Sequence, residues 1–178
     1  FDAVYKQNIN IVKLLLAHPQ LNVNLSTIQQ RDNTYGDLCE EAEFTPLNAA
    51  INSKNIEIIQ LLLSNSKINV NIPIIYSRFP RSEKTTDVIK IPLLLGIETK
   101  DIEIVKLLLS FDNLDINAKN ILQMEQIYTH IQKECFKNKE FTIYKPLWEE
   151  IKAFHAAIEL DAVEIVHLLL ECDNLDIN

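Results

Sequence analysis

The sequence predicts an all-α fold, a solenoid of stacked helix pairs joined by extended inter-repeat loops. Three observations predict it. A short apolar block ending in three leucines occurs four times, at Ile9–Leu16, Ile56–Leu63, Ile102–Leu109 and Val163–Leu170. From the first leucine of each triplet to a closing asparagine is ten residues every time: Leu14 to Asn24, Leu61 to Asn71, Leu107 to Asn117 and Leu168 to Asn178. The closing asparagines themselves are 47, 46 and 61 residues apart. Constant cores with variable connectors mean one repeated supersecondary unit carrying insertions.

The first unit, approximately residues 1–24, is read from its second helix and closing turn, Leu21-Asn22-Val23-Asn24. The second, 45–71, is the fullest. Thr45-Pro46-Leu47-Asn48-Ala49-Ala50-Ile51 opens it, and Pro46 pre-sets the first helical turn. In Ile56–Leu63 only Glu57 and Gln60 are polar, and residues three apart share one strip of a helix. The rest of that helix is apolar and must be sandwiched between neighbours. The third unit, 91–117, repeats the plan with Pro92-Leu93 and a Glu103/Lys106 strip. The fourth, 152–178, has Phe154-His155-Ala156-Ala157-Ile158 and a Glu164/His167 strip, matching Asn10 and Lys13 in the first. One unit cannot bury such a face alone, but a stack can. On this reading residues 1–178 form a single array, with apolar residues on the outer face of the last unit. The chain opens with Phe1 and its only methionine is Met124, so part of a longer protein is expected.

Thr-Pro-Leu-x-x-Ala, then Glu-Ile-Val-x-Leu-Leu-Leu, then Asp-x-Asn resembles the ankyrin repeat. About 100 residues in four units carry the resemblance. It implies an ankyrin-type α-solenoid in which each helix pair is followed by a projecting hairpin or loop, and arrays that generally bind proteins. His155 falls on the histidine of the family's Thr-Pro-Leu-His, a residue that fixes the helix start by hydrogen bonding. The sequence departs from the family in three ways. The glycine between the helices is replaced by Gln7, Lys54, Lys100 and Asp161. The glycine after the second helix is missing. The units are longer than the family's roughly 33 residues. The helix stack is expected to survive all three.

The extra residues fall in three insertions, 25–44, 72–90 and 118–151. The first sets Arg31 against Asp32, Asp37, Glu40, Glu41 and Glu43, a net charge of −4. The second sets Arg78, Arg81, Lys84 and Lys90 against Glu83 and Asp87, a net +2. The third balances five lysines against five glutamates. Adjacent fingers of opposite sign attract modestly, by less than about 1 kcal/mol per exposed pair. In the third, Ile121, Met124, Tyr128, Ile131 and Cys135 recur at three- and four-residue steps, which predicts a helix. A further helical piece is expected from Pro146 through Leu147, Trp148 and Ile151.

Chemistry is harder to find. Glycine occurs only as Gly36 and Gly96, which weighs against phosphate-cradling loops. The net charge of −8 lacks the basic balance of a nucleic-acid binder. The most apolar stretch, from Val88 to Ile97, contains Lys90, Pro92 and Gly96 and falls short of the roughly 18 apolar residues a membrane span needs. Cys39, Cys135 and Cys172 show neither disulfide nor zinc spacing and read as reduced thiols of a cytoplasmic protein. His130 and Cys135 are five apart and share no helix face. His18 sits at a helix end, and His167 lies on the exposed strip. The acidic cluster Glu40, Glu41 and Glu43 lacks the alternating oxygen ligands of a calcium loop.

The expected function is therefore a scaffold that binds a partner protein through the projecting loops and the concave face of the stack. No catalytic residue, cofactor, metal, nucleic acid or small-molecule ligand is expected. The alternative is a regulatory or substrate-recruiting region of an enzyme whose catalytic domain lies outside this chain. The partner-binding candidates are Tyr35, Tyr76, Arg78, Phe79, Arg81, Tyr128 and Trp148, because aromatic and Arg side chains dominate binding hot spots. The competing reading has the aromatics packing down onto the stack.

Overall fold

The computed structural model describes residues 1–32, 38–80, 85–124 and 147–177; of these, residues 30–32, 38–40, 77–80, 85–88, 120–124 and 147–151 are described by their backbone alone. Each core is a pair of short helices: α1 (Asp2–Tyr5) with α2 (Ile9–Leu16), α3 (Pro46–Asn52) with α4 (Ile56–Leu63), α5 (Pro92–Glu98) with α6 (Ile102–Leu109), and α7 (Ala153–Glu159) with α8 (Val163–Leu170). The first helices pack in chain order as one row and the second helices as another.

Local chemistry starts most of the helices. Asn8 and Asn55 cap α2 and α4, accepting from the Ile11 and Ile58 amides at 3.1 Å, and Asp101 caps α6 from Glu103 N at 3.0 Å. Pro46 and Pro92 stand in the first turns of α3 and α5, where the missing N–H is no loss. The Thr45 hydroxyl accepts from Asn48 N at 3.2 Å. Repeat four lacks these devices: Lys152 and Ala162 make no side-chain cap. His155 is half-buried with its ring edge-on to Phe154. Asn48, its counterpart in repeat two, is buried and donates to the Ile72 carbonyl at 3.1 Å.

The helices of a pair approach closely because the facing position is small in every unit: Ala3, Ala50, Gly96 and Ala157. A Cβ on Gly96 would stand 3.0 Å from Leu108 Cδ1. The sandwiched face is as expected for the inner units. Ile58, Ile59, Leu62, Ile104, Val105 and Leu108 are buried, whereas Glu57, Gln60, Glu103 and Lys106 are exposed. The end units differ. α2 exposes Ile11, Leu14 and Leu15, and repeat four exposes Ile158, Val163 and Leu170, the apolar outer face anticipated for it.

Two sets of bonds lock one repeat to the next. The closing asparagines form a ladder. Asn24 donates to Lys67 O at 2.8 Å and accepts from Asn69 N at 2.8 Å. Asn71 donates to Asn113 O at 2.7 Å and accepts from Asp115 N at 2.9 Å. Asn117 does the same with Asn174 O, at 2.7 Å, and Asp176 N, at 2.8 Å. An amide is required because it supplies a donor and an acceptor at once. The second set uses the missing glycines. Gln7, Lys54, Lys100 and Asp161 all have positive φ, 53°, 52°, 57° and 53°, a conformation that costs a side-chain-bearing residue roughly 1 kcal/mol. Lys54 Nζ then donates to Thr99 O at 2.9 Å and Lys100 Nζ to Leu160 O at 2.8 Å. The side chain that causes the strain also ties adjacent units.

The all-α expectation is corrected by the insertions, which carry a six-stranded antiparallel sheet. Its strands are β1 (Thr27–Asp32), β2 (Leu38–Phe44), β3 (Ile74–Pro80), β4 (Thr85–Lys90), β5 (Lys119–Met124) and β6 (Leu147–Lys152), in that spatial order. Each insertion contributes one hairpin, and β2 pairs with β3 and β4 with β5 across neighbouring repeats. The dimensions explain the continuity. Helices pack about 8–10 Å apart. A hairpin is two strands wide, about 9–10 Å at the usual strand spacing. Hairpins rooted on stacked helix pairs therefore arrive within ladder distance of each other. The helix expected through Ile121 and Met124 is corrected to strand β5, and the piece expected around Leu147, Trp148 and Ile151 to strand β6, because these arms leave and re-enter the stack side by side and pair. Tyr128, His130, Ile131, Cys135 and Pro146 lie outside the described residues. In the β2–β3 ladder Glu40 of the first finger stands in register opposite Arg78 of the second.

Candidate functional site

The surface that stacking leaves free is the groove between the first helices and one face of the sheet. One column of the repeat lines it, at the same place in each first helix: Tyr5, Asn52, Glu98 and Glu159, all exposed. The sheet supplies Gln29, Phe44, Tyr76 and Lys90. Gln29 is opposite Ala42 in the β1–β2 ladder, and Ala42 is opposite Tyr76 in the β2–β3 ladder, so all three share a face. Phe44, two residues from Ala42, falls on that face too.

The aromatics are paired and held. Phe44 meets Tyr76 edge-on, with centroids 6.0 Å apart at 81°. Lys90 Nζ lies 5.9 Å from the centre of the Tyr76 ring, within cation–π reach. The same ammonium donates to both Glu98 carboxylate oxygens, at 2.7 and 3.0 Å, tying the base of β4 to the end of α5. Across the groove Phe1 and Tyr5 stack at 6.0 Å and 21°. Between the two pairs lies a cavity of about 340 Å³ lined by Phe1, Tyr5, Gln7, Gln29, Phe44, Ala49, Asn52 and Ser53. Its lining contains no Asp, Glu, Lys, Arg or His side chain.

Of the seven expected binding residues, Tyr76 alone has a described side chain. It is half-buried, clasped between Phe44 and Lys90. Arg78 and Phe79 lie on β3 opposite Glu40 and Cys39, and Trp148 lies on β6 opposite Gln123. Tyr35, Arg81 and Tyr128 lie outside the described residues. Sequence reasoning missed Tyr5, Gln29, Phe44, Asn52, Lys90 and Glu98. Aligning the units would have found most of them. Tyr5, Asn52, Glu98 and Glu159 each stand two residues before the positive-φ position, and Phe44 and Lys90 each stand just before a helix-opening dipeptide.

Most of the groove's side chains are aromatic, amide or joined in the Lys90–Glu98 ion pair. Cys172, on the last repeat, has its thiol pushed up by burial and, secondarily, by the Glu171 and Asp173 carboxylates. That keeps it protonated and a poor nucleophile at neutral pH. Among the described residues no helix is long and apolar enough to cross a membrane.

The comparisons agree with the helix pair and its loop. The family model "Ankyrin repeat" matches residues 43–74, which run from the end of β2 through α3 and α4 to the start of β3. A search of curated proteins found no match to the chain. Ankyrin repeats are generally protein–protein interaction motifs. Residues 43–74 thus match the ankyrin-repeat family.

Proposed function

We propose that all four helix pairs are ankyrin repeats of one array and that the array is a protein-binding scaffold without catalytic activity of its own. The partner lies in the groove between the first helices and the sheet. The observation that carries this reading is the contrast between the two surfaces of a repeat. The second helices of the two inner units bury their apolar faces against their neighbours and show mainly the Glu57/Gln60 and Glu103/Lys106 strips. The groove keeps two aromatic pairs and a Lys90–Glu98 clasp open to a visitor. Aromatic side chains with polar handles are what protein interfaces concentrate. A cytoplasmic setting fits the free thiol of Cys172.

The test is partner capture on the immobilised full chain, repeated with two double variants. Tyr5→Ala/Asn52→Ala alters the groove, and Glu57→Ala/Lys106→Ala alters the outer strip. Proteins bound by the parent chain are expected to be lost with the first variant and retained with the second. Loss with the outer-strip variant and retention with the groove variant would move the site to the second helices.

A further inference from the structure

Resting on the groove reading, we infer that the groove at repeats three and four takes a basic segment of a partner protein, with one Lys or Arg side chain of that segment bound to the Glu159 carboxylate.

The chain shows the fit once, at repeat three. Glu98, at the end of α5, accepts from the Lys90 ammonium through both carboxylate oxygens. Lys90 stands at the base of β4, eight residues before Glu98. The same spacing links Phe44 to Asn52 in repeat two and Ile151 to Glu159 in repeat four. Repeat two thus has neither charge of the pair, repeat three has both, and repeat four has the carboxylate without the ammonium. Glu159 is exposed, and among the described residues its carboxylate makes no ion pair or hydrogen bond. A partner's cation would complete at repeat four the pair that the chain completes for itself at repeat three.

The position stays open whatever packs beside it. α3 is flanked by α1 and α5, and α5 by α3 and α7, yet Asn52 and Glu98 are both exposed. Helices on both sides of a first helix therefore leave this place uncovered, and Glu159 holds the same place on α7. Charge then selects the occupant. Along the groove the column runs from the neutral Asn52, through Glu98 with its lysine, to Glu159 without one. A partner carboxylate at Glu159 would meet like charge, whereas Lys or Arg meets an opposite one. The edge-on pair of Phe44 and Tyr76 supplies an apolar seat for the same segment closer to the middle of the array. Neighbouring helix pairs are about 8–10 Å apart, and an extended chain covers that in about three residues. The basic and the apolar side chain of the partner are therefore expected about two to four positions apart.

The test is selection from a random linear peptide library displayed on phage against the full chain, followed by affinity measurement with the best synthetic peptides. Enriched peptides are expected to carry a Lys or Arg close to a bulky apolar residue. Glu159→Gln, at an exposed side chain, is expected to weaken them about two- to fivefold, the scale of one exposed ion pair, with an unchanged thermal melt. Glu103→Gln, on the exposed strip of α6, is expected to leave them unaffected. A peptide with Glu in place of its basic residue is expected to bind the Glu159→Lys variant more tightly than the parent chain, a reversal that a merely structural role of Glu159 would not produce. Peptides weakened by Asn52→Ala but not by Glu159→Gln overturn this inference and spare the groove reading. Peptides indifferent to both overturn the two together. Peptides without a basic residue, or no enrichment at all, also overturn the inference. Met124 and Leu147 are cross-strand neighbours, so residues 125–146 can be replaced by a short turn, with unchanged affinity expected. Tighter binding after that replacement would make the third insertion the occupant of Glu159 and overturn the assignment to a partner.

Discussion

The helix stack and the hairpin sheet of this chain obey different physics. The stack repeats: a leucine, a small residue and an asparagine return at fixed places in each unit, and Asn24, Asn71 and Asn117 each bond to the closing turn of the next. The sheet does not repeat in sequence at all. Its three hairpins differ in length, charge and composition, yet they merge into one sheet because the stack roots them at strand-pair spacing. Identity of side chains holds the first region; identity of position holds the second. Variation is therefore cheap in the hairpins and costly in the helices.

Core substitutions should show this contrast most strongly. Leu108 is fully buried between α6 and its neighbours, so Leu108→Ala should cost about 2–5 kcal/mol in urea unfolding. Leu62→Ala belongs in the same range. The ladder comes next. Asn71→Ala removes a donor and an acceptor that join repeats two and three, and a loss of about 1–3 kcal/mol is expected. A melt unchanged by Asn71→Ala would show that the ladder decorates the stack rather than holding it.

The positive-φ lysines sharpen the comparison on a finer scale. Lys100→Ala keeps the strained backbone and deletes the bond to Leu160 O, whereas Lys100→Gly deletes the bond but relieves the strain. The alanine variant should be less stable than the glycine variant by roughly 1 kcal/mol. Equal melting temperatures for the two would contradict the strain argument. The smallest effect belongs to the exposed strip. Glu57 pairs with Lys13 at 2.9 Å, but both side chains are about half exposed, so Glu57→Ala should change stability by less than about 1 kcal/mol.

The same contrast decides what was legible in the sequence. Leu62, Leu108 and Leu169 could be placed in the core because a helix buried on most sides writes its burial into every residue. Asn71 and Asn117 could be found by their fixed distance from the leucines, although their bonds to the next repeat could not. The sheet was missed for a physical reason. A hairpin whose strands pair through backbone groups needs no periodic side chains, and Ile121 and Met124, now on β5, stand at a helical step. Spacing alone cannot reveal that β5 has a neighbouring β4 to pair with. The groove was half visible. Tyr76 was chosen for its chemistry, but Tyr5, Asn52 and Glu98 share only a place in the repeat, and that place acquires meaning once the sheet covers one side of it.

The division of labour is tested most directly by replacing residues 75–89, the body of the middle hairpin, with a four-residue turn in the full chain. Ile74 and Lys90 are cross-strand neighbours, so a short turn can close the gap. Two readouts are needed: urea unfolding followed by far-UV circular dichroism, and affinity for a partner protein captured on the parent chain. The account predicts a single cooperative unfolding transition, with the helical signal kept and partner binding weakened about tenfold or more. Collapse of the cooperative transition would mean that the sheet holds the stack together, and unchanged affinity would mean that the groove is not where the chain meets its partner.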